Sequence, residues 1–535
     1  MTNNTYAGRL GTMLDCSRNA VPTLAAVKRW IDLTGKMGYN TLFLYMEDTY
    51  TIEEEPYFGH LRGRYSMAEL REIDDYAFAR GMEVIPCIQT LAHLDTMFHW
   101  NVYGPIHDCT GILLTGDDRT YALIDRMFKS LSSCFRSGVV NVGMDEAHMI
   151  GRGRYLDLHG LVDRFDILLD HLCHVSDIAK KYGKELVMWG DMFMRISNWG
   201  EHPIPDDVKR RIPDNLNLVY WDYYSDDKAH FDEWLGKYSA IKDGVWYAGG
   251  LWTWLGMASH NDYSIRHARA AMASCREHGT NNIFMTLWGD DGGELSPFAA
   301  LPSVYCTAAF ARGITDMNEI RRGFYEIVGA DFDDFMKLDY LGTPSECAEF
   351  PVNPDRYMLY SDCFMGQFDN RTNPGDGAKF ASCVPALKKL ENDPAWGYLF
   401  RLGAALADAL AVKYELGVRT RAAYLSGDKE AVRALLPDYD ALLVRLDELY
   451  DAHEARWMID NKPHGFDVQD ARLGGLSRRV RHCRERLADF ADGKADRIPE
   501  LEEPVLDYEN KPELAGTPGI FNRWTLNITA NPIFL

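Results

Sequence analysis

The first 310 residues of the chain alternate between short apolar runs and longer amphipathic segments. Eight of the short runs are almost continuously apolar, which is typical of parallel strands that are buried on both faces. These runs are residues 10–14, 41–45, 83–88, 139–143, 186–189, 218–221, 245–248 and 283–287. The pattern therefore predicts eight strands, each followed by a helical segment.

The segments between the runs carry signals for helix starts and ends. Ser66 and Glu69 have the spacing of a capping box, and Gly81 is placed to end the helix that follows. Eight strand–helix units in about 300 residues predict a (β/α)8 barrel. A doubly wound open sheet is the alternative fold, but no glycine-rich phosphate loop follows the first strand.

Strand signals fade after about residue 315, where the apolar spacing becomes helical. Leu399, Leu402, Leu406 and Leu410 fall on one helical face. We therefore predict a catalytic barrel over residues 1–315 and a mainly α-helical C-terminal domain over residues 316–535. Within that domain, residues 457–475 are polar and rich in turn formers, which predicts an irregular segment between two helices.

Composition narrows the class of protein. The chain has 535 residues and a formal charge of -22, so nucleic acid and anionic membranes are poor partners for it. No signal-peptide pattern is visible at the N-terminus and no run has the length of a transmembrane helix. The 11 cysteines are scattered singly and match no zinc or disulfide spacing. We expect a cytoplasmic protein with reduced cysteines and no bound metal.

Catalytic groups of a (β/α)8 barrel lie at the carboxyl ends of its strands. Polar and aromatic residues gather at those ends here: Asp15, Arg18, Glu47, Asp48, His93, Asp145, Glu146, Trp189, Asp191, Asp222, Tyr223, Tyr224, Trp252, Trp254, Trp288 and Asp290. Tryptophan rings can stack on the apolar face of a sugar, while carboxylates and arginine bind its hydroxyls. The pattern favours a carbohydrate-processing site.

Asp145 and Glu146 are adjacent carboxylates after the fourth strand. Like charges side by side raise the pKa of one group, which suits it to acid–base work. Two carboxylates that act from opposite sides of a glycosidic bond stand roughly 5 to 9.5 Å apart, across that bond. Neighbours in sequence do not readily take those positions. We expect one carboxylate to meet the leaving group and the other to have a different task.

These residues resemble a known family. Val142-Gly143-Met144-Asp145-Glu146 resembles the Gly-x-Asp-Glu signature of glycoside hydrolase family 20, the β-N-acetylhexosaminidases. The match is supported by residues 14–18 on the first strand, Ala92-His93 after the third and residues 287–290 at the eighth. Residues 45–100 resemble the branch that includes hexosaminidase D and bacterial cytoplasmic relatives. The resemblance covers about residues 8–310, and more weakly the helical C-terminus.

The resemblance implies an exo-acting, retaining β-N-acetylhexosaminidase that needs no cofactor. The substrate's 2-acetamido oxygen would attack the anomeric carbon and form an oxazoline. Glu146 would protonate the leaving oxygen and then activate water, while Asp145 would orient the acetamido group. His93 would link Asp48 to Glu146, with Glu47 as the alternative carboxylate.

The resemblance also implies a pocket for one terminal sugar. Trp189, Trp254 and Trp288 would form its walls, Arg9 and Asp290 would bind hydroxyls, and Tyr223 or Tyr224 would bind the acetamido oxygen. Two alternatives remain open: a glycosidase with a protein nucleophile such as Asp191 or Asp290, and a sugar-binding barrel without catalysis. The sequence also leaves open a homodimer and the choice between GlcNAc and GalNAc.

Overall fold

The computed structural model of the chain describes residues 8–290, 292–342 and 350–533. Its eight strands form one closed parallel barrel in chain order, with β8 beside β1. The strands are β1 (Arg9–Asp15), β2 (Thr41–Tyr45), β3 (Glu83–Cys87), β4 (Val139–Asn141), β5 (Glu185–Trp189), β6 (Leu216–Asp222), β7 (Trp246–Gly250) and β8 (Asn282–Leu287). The predicted (β/α)8 barrel and its eight strand positions are confirmed.

Helices connect the strands and continue beyond the barrel. Up to residue 328 they are α1 (Leu24–Met37), α2 (Met67–Phe78), α3 (Asp95–Phe98), α4 (Asp118–Ser132), α5 (Arg154–His159), α6 (Arg164–Lys181), α7 (Asp191–Ile196), α8 (Asp206–Arg211), α9 (Lys228–Ser239), α10 (Asn261–Glu277), α11 (Leu301–Ala311) and α12 (Met317–Val328). Later helices are α13 (Phe332–Met336), α14 (Pro354–Tyr360), α15 (Asp376–Lys388), α16 (Gly397–Leu425), α17 (Lys429–Arg433), α18 (Leu436–Asp460), α19 (Phe466–Ala491), α20 (Pro499–Glu502) and α21 (Trp524–Ile528). The predicted mainly helical C-terminal region is therefore confirmed.

The barrel interior is filled by aromatic side chains. The rings of Phe43 on β2 and Phe284 on β8 stack with their centroids 4.2 Å apart. Gly11 lies between these strands on β1, and a Cβ atom there would come within 2.6 Å of the Phe43 ring. The glycine therefore makes room for the stacked rings. Outside the barrel, Trp30 of α1 donates a hydrogen bond of 2.9 Å to Thr12 on β1.

The chain divides into two compact units. The first contains the chain up to Leu251 together with Ser264–Trp288 and Ser303–Gly329. The second contains Trp252–Tyr263, Gly289–Pro302 and the chain from Ala330 onward. Two stretches that follow β7 and β8 thus belong to the second unit, and the apolar pattern of the sequence gives no sign of this.

The second unit corrects one expectation. Residues 457–475 are not an irregular segment, because α18 runs to Asp460 and α19 begins at Phe466. Phe466 is buried, with its ring centroid 5.6 Å from that of Trp457. Arg472 lies within α19 and its Nη1 donates to Glu294 at 2.8 Å. Arg472, one of the polar residues that suggested a loop, is thus paired inside the unit.

Candidate active site

The segment after β4 has an unusual backbone. Gly143, Met144 and Glu146 have φ angles of 71°, 68° and 51°. A Cβ atom on Gly143 would come within 2.1 Å of the Gln89 side-chain oxygen, so only glycine fits there. The same oxygen accepts a 3.2 Å hydrogen bond from the Met144 amide. Left-handed non-glycine residues cost energy and cluster at functional sites.

Asp145 is held from two sides. Its Oδ1 accepts a 2.8 Å hydrogen bond from Nε2 of Gln89, and its Oδ2 lies 3.2 Å from Nε2 of His93. Burial by itself would raise the pKa of Asp145, but the charge of His93 and these contacts hold that pKa below its ordinary value. Asp145 is therefore an ionised carboxylate in a fixed orientation.

His93 lies between the two adjacent carboxylates. Its Nε2 is 3.2 Å from Oδ2 of Asp145 and 3.7 Å from Oε2 of Glu146. Burial would lower the pKa of His93, but the charge of Asp145 raises it to about 9, with Glu47 adding to the increase. The imidazole is therefore positively charged at neutral pH. Asp48, its predicted partner, is buried and lies 3.2 Å from the guanidinium of Arg62.

Glu146 differs from its neighbour because its side chain is 51% exposed. Its backbone N–H donates a 3.0 Å hydrogen bond to Oδ2 of Asp191. The other Asp191 oxygen, Oδ1, accepts from the indole of Trp221 at 3.4 Å. Burial and the nearby charge of Asp145 raise the pKa of Asp191 to about 7. Asp191 thus supports the backbone of an exposed glutamate.

A second group of polar residues follows β1 and β2. Nη2 of Arg18 lies 3.4 Å from Oε1 of Glu47. The same Glu47 oxygen accepts a 3.1 Å hydrogen bond from Tyr45, whose hydroxyl accepts from Gln89 at 2.9 Å. Burial raises the pKa of Glu47 to about 7, against the opposing effect of Arg18. Through Gln89, this network reaches Asp145.

Arg9 does not belong to this end of the barrel. It is the first residue of β1, and its Nε donates a 2.7 Å hydrogen bond to Glu83, the first residue of β3. Its guanidinium lies 5.3 Å from the ring centroid of Trp246, the first residue of β7. Since the amino ends of parallel strands share one edge, Arg9 lies opposite the catalytic end, and its predicted role in hydroxyl binding is wrong. Arg18 is the arginine at the correct end.

Aromatic residues lie at the same end of the barrel strands as Asp145 and Glu146. The ring centroids of Trp189 and Trp288 are 6.0 Å apart, and Tyr45 meets Trp288 edge-on at 4.7 Å. The Trp288 indole donates a 3.1 Å hydrogen bond to the hydroxyl of Tyr223, which is buried. Tyr224, its neighbour, is 56% exposed. The structure therefore places Trp189, Trp288 and Tyr223 in one aromatic group.

Two further predicted residues belong to the second unit. Trp254 is buried and stacks on Trp252, with ring centroids 4.6 Å apart. Trp252 in turn meets the ring of Phe350 edge-on at 5.2 Å. Asp290 is partly buried in a turn. Their predicted contacts with substrate stay predictions.

Comparisons with known proteins identify the family of the chain. A model of the glycosyl hydrolase family 20 catalytic domain matches residues 9–231, and a model of the glycoside hydrolase 20C C-terminal domain matches residues 333–517. The chain belongs to glycoside hydrolase family 20. It is 24% identical to hexosaminidase D from Bos taurus over 257 residues, which are 45% of this chain and 69% of that one.

Two more relatives of this family 20 hydrolase match over smaller shares of their length. Hexosaminidase D from Homo sapiens is 24% identical over 238 residues, covering 40% of this chain and 44% of the relative. The solved family 20 exo-β-N-acetylglucosaminidase from Vibrio harveyi is 15% identical, with 62% of this chain and 59% of that chain covered and a TM-score of 0.47. This chain thus spans less than half of the human relative that it matches.

The site of this family 20 hydrolase separates two neighbouring carboxylates by environment. Asp145 is ionised and held by Gln89 and His93, so it is suited to accepting a hydrogen bond from a bound ligand. Glu146 is exposed and its carboxylate lies 3.7 Å from His93, so its carboxyl group can reach a ligand oxygen. No group of three or more His, Cys, Asp or Glu side chains is arranged to bind a metal in the described parts of the chain. In the same residues, no helix is long and apolar enough to cross a membrane.

Proposed function

We propose that the protein is an exo-acting β-N-acetylhexosaminidase that removes terminal β-linked GlcNAc or GalNAc with retention of configuration. The observation that carries the proposal is the difference between Asp145, which is partly buried and ionised, and Glu146, which is exposed. Family 20 membership and the names of the relatives support it. Catalysis is substrate-assisted and passes through an oxazoline.

In the first step, the acetamido oxygen of the substrate attacks C1 while the bond from C1 to the leaving oxygen breaks. Glu146 gives its proton to that oxygen. Asp145 accepts a hydrogen bond from the acetamido N–H and stabilises the positive charge that develops on the nitrogen. In the second step, Glu146 takes a proton from water, which attacks C1 and opens the oxazoline. Two inversions at C1 give net retention.

His93 serves this chemistry as a positioning residue. Its charge lies 3.2 Å from Asp145, so it favours the ionised form of that carboxylate. Asp48 has an indirect role: it forms an ion pair with Arg62 near the carboxyl ends of the strands. Glu47 is the other carboxylate that favours the charged imidazole. The proposed effect of His93 on the site thus comes from its charge and its position.

The aromatic group holds the terminal sugar. Trp189 and Trp288 form walls of the pocket. Because a pocket that is closed by such walls admits only a terminal sugar, the enzyme is exo-acting. Tyr223, which already accepts a hydrogen bond from Trp288, donates to the acetamido oxygen, with the exposed Tyr224 as the alternative. Arg18, and not Arg9, binds hydroxyl groups of the sugar.

A mechanism with Asp191 as a protein nucleophile has less support. Asp191 is buried, and its two oxygens accept hydrogen bonds from the Glu146 amide and the Trp221 indole. A nucleophile needs an oxygen that faces the anomeric carbon. Asp191 is instead placed to hold the loop that carries Glu146.

The deciding experiment compares matched substrates. Aryl β-N-acetylglucosaminide and aryl β-glucoside differ only at the 2-position, and the product anomer can be followed by NMR at early time. We expect hydrolysis of the acetamido substrate alone, with the β-anomer formed first. Hydrolysis of both substrates, or the α-anomer first, would contradict the mechanism.

We also propose a cytoplasmic location. All ten described cysteines are free, and eight of them are buried. Free, buried thiols are usual in reducing compartments. Measuring the free thiol content of the protein purified under non-reducing conditions tests this, and disulfide formation in the native protein would argue against it.

A further inference from the structure

Helix α7 carries two charged residues on one face. Asp191 and Arg195 are four residues apart, so their side chains lie one above the other along the helix. Asp191 accepts the hydrogen bond from the Glu146 amide. Arg195 therefore lies just over one helical turn, about 6 Å along the axis, from the residue that supports the proposed acid.

Arg195 belongs to a cluster of basic side chains beside the Glu146 loop. Its charge, together with that of Arg164, acts on His148, two residues after Glu146, and burial and these charges lower the pKa of His148. Arg164 also donates a 2.6 Å hydrogen bond to the backbone oxygen of His148. The charged His93 acts on the same group, and Asp145 opposes it.

The cluster leaves polar atoms without protein partners. Within the described residues, Nε of Arg195 and Nδ1 of His148 are buried and have no hydrogen-bond partner. Buried polar atoms of this kind are costly unless a ligand or water meets them. A basic cluster is also unexpected in a chain with a formal charge of -22, unless it serves an anion.

Next to this cluster, Trp199 presents an open aromatic face. Its side chain is 49% exposed, and its ring centroid lies 5.6 Å from the guanidinium carbon of Arg195. Asn198 and Trp199 have φ angles of 48° and 58°, and a 2.8 Å hydrogen bond from the Trp199 amide to Met194 fixes the turn. An exposed indole in a strained turn is suited to stacking on a sugar ring.

We propose that Arg195 and Trp199 form the binding site for the leaving sugar, and that this site favours an acidic sugar. Trp199 stacks on the sugar ring, and Arg195 binds its carboxylate, with Arg164 adding to the local positive charge. This proposal rests on the proposed hydrolase function and specifies the substrate class: glycans in which a hexuronic acid follows the terminal N-acetylhexosamine.

The test uses two disaccharides with the same linkage, GlcNAc-β-1,4-glucuronic acid and GlcNAc-β-1,4-glucose. We expect kcat/KM to be about tenfold higher for the acidic one, as for one hydrogen bond to a charged group. The preference should fall as salt rises, because the contact is partly exposed. Arg195→Gln should bring the ratio of the two kcat/KM values close to one, and Arg195→Lys should keep part of it.

Matched variants separate this role from a general loss of charge. Arg210 is exposed on α8, so Arg210→Gln removes one positive charge and should leave the ratio unchanged. Trp199→Ala should lower kcat/KM for both disaccharides, and Trp199→Phe should restore most of it. These variants must also show an unchanged unfolding temperature.

The outcomes distinguish the two proposals. If the wild type hydrolyses both disaccharides equally, or if Arg195→Gln lowers both rates by the same factor, the acidic subsite is wrong and the hydrolase function stands. If neither disaccharide nor an aryl N-acetylhexosaminide is hydrolysed, the proposed function fails and this inference fails with it.

Discussion

Asp191 accepts a 3.0 Å hydrogen bond from the backbone amide of Glu146, so a buried carboxyl group holds the loop of the proposed acid. Burial and the Asp145 charge raise the pKa of Asp191 to about 7. A carboxyl group with a raised pKa binds its proton more tightly in the folded state. It therefore lowers the stability of the protein as pH rises from about 4 to about 7.

Replacing Asp191 removes this pH dependence. We expect the unfolding free energy of Asp191→Asn, relative to wild type, to increase between pH 5 and pH 8 by on the order of 2 kcal/mol. Urea unfolding at the two pH values measures it. Asp177→Asn changes an exposed carboxylate on α6 and is the matched control. An equal difference at both pH values would contradict the raised pKa.

Glu146→Gln should remove the general acid. Turnover of a natural disaccharide should fall by about 10²- to 10⁴-fold, because the leaving sugar needs a proton. A dinitrophenyl glycoside needs little protonation, so its first step should be rescued in part. Steady-state and burst kinetics on both substrates measure this. Glu185→Gln, at the exposed start of β5, is the control, and near wild-type turnover of the disaccharide by Glu146→Gln would refute the assignment.

Asp145→Ala should impair catalysis by removing the carboxylate that binds the acetamido N–H of the substrate. We expect a severe loss of turnover and weaker binding of a thiazoline analogue of the oxazoline, because the partner of the nitrogen is gone. Asp145→Asn should also lose the affinity, since Gln89 and His93 are placed to favour a carboxylate. Competitive inhibition constants measure this for the three proteins. Unchanged thiazoline affinity in both variants would show that Asp145 does not meet the acetamido group.

His93→Ala should change the pH profile. The charged imidazole lowers the pKa of Asp145, so its loss should raise that pKa. Because Asp145 must be ionised, the acidic limb of kcat/KM should move to higher pH, together with a lower maximum. His202→Ala, at an exposed histidine, is the control. An acidic limb at the wild-type position would make His93 a purely structural residue.

Arg9 begins β1 and Arg18 follows its end, so substitutions of the two arginines should have contrasting effects. Arg18→Ala should lower kcat/KM by roughly 10²-fold, mainly through KM, because Arg18 lies at the catalytic end beside Glu47. Arg9→Ala should leave KM unchanged and lower the unfolding temperature slightly, because it breaks the ion pair with Glu83. Aryl-substrate kinetics and thermal unfolding of both variants measure this. A raised KM in Arg9→Ala alone would show that Arg9, and not Arg18, contributes to substrate binding.

The sequence by itself determined the barrel and the position of its chemistry. Strands buried on both faces must be nearly all apolar, so each of the eight could be located without knowing its neighbours. In a closed parallel barrel all carboxyl ends meet at one rim, so the polar residues after them could be expected together. This reasoning predicts that Asp145, Glu146 and His93 lie close together, and in the structure they do.

Only the tertiary structure decided which distant side chains meet. Arg9 begins β1 and Arg18 follows its end, while their partners are Glu83 at the start of β3 and Glu47 after the end of β2. Likewise, only packing placed Asp191 under the Glu146 amide. The periodicity of apolar residues shows which helix or strand a residue belongs to and which face of it the residue occupies, because both depend on local backbone geometry. The pairing of charges depends on how the elements pack together, and no local pattern in the chain encodes it.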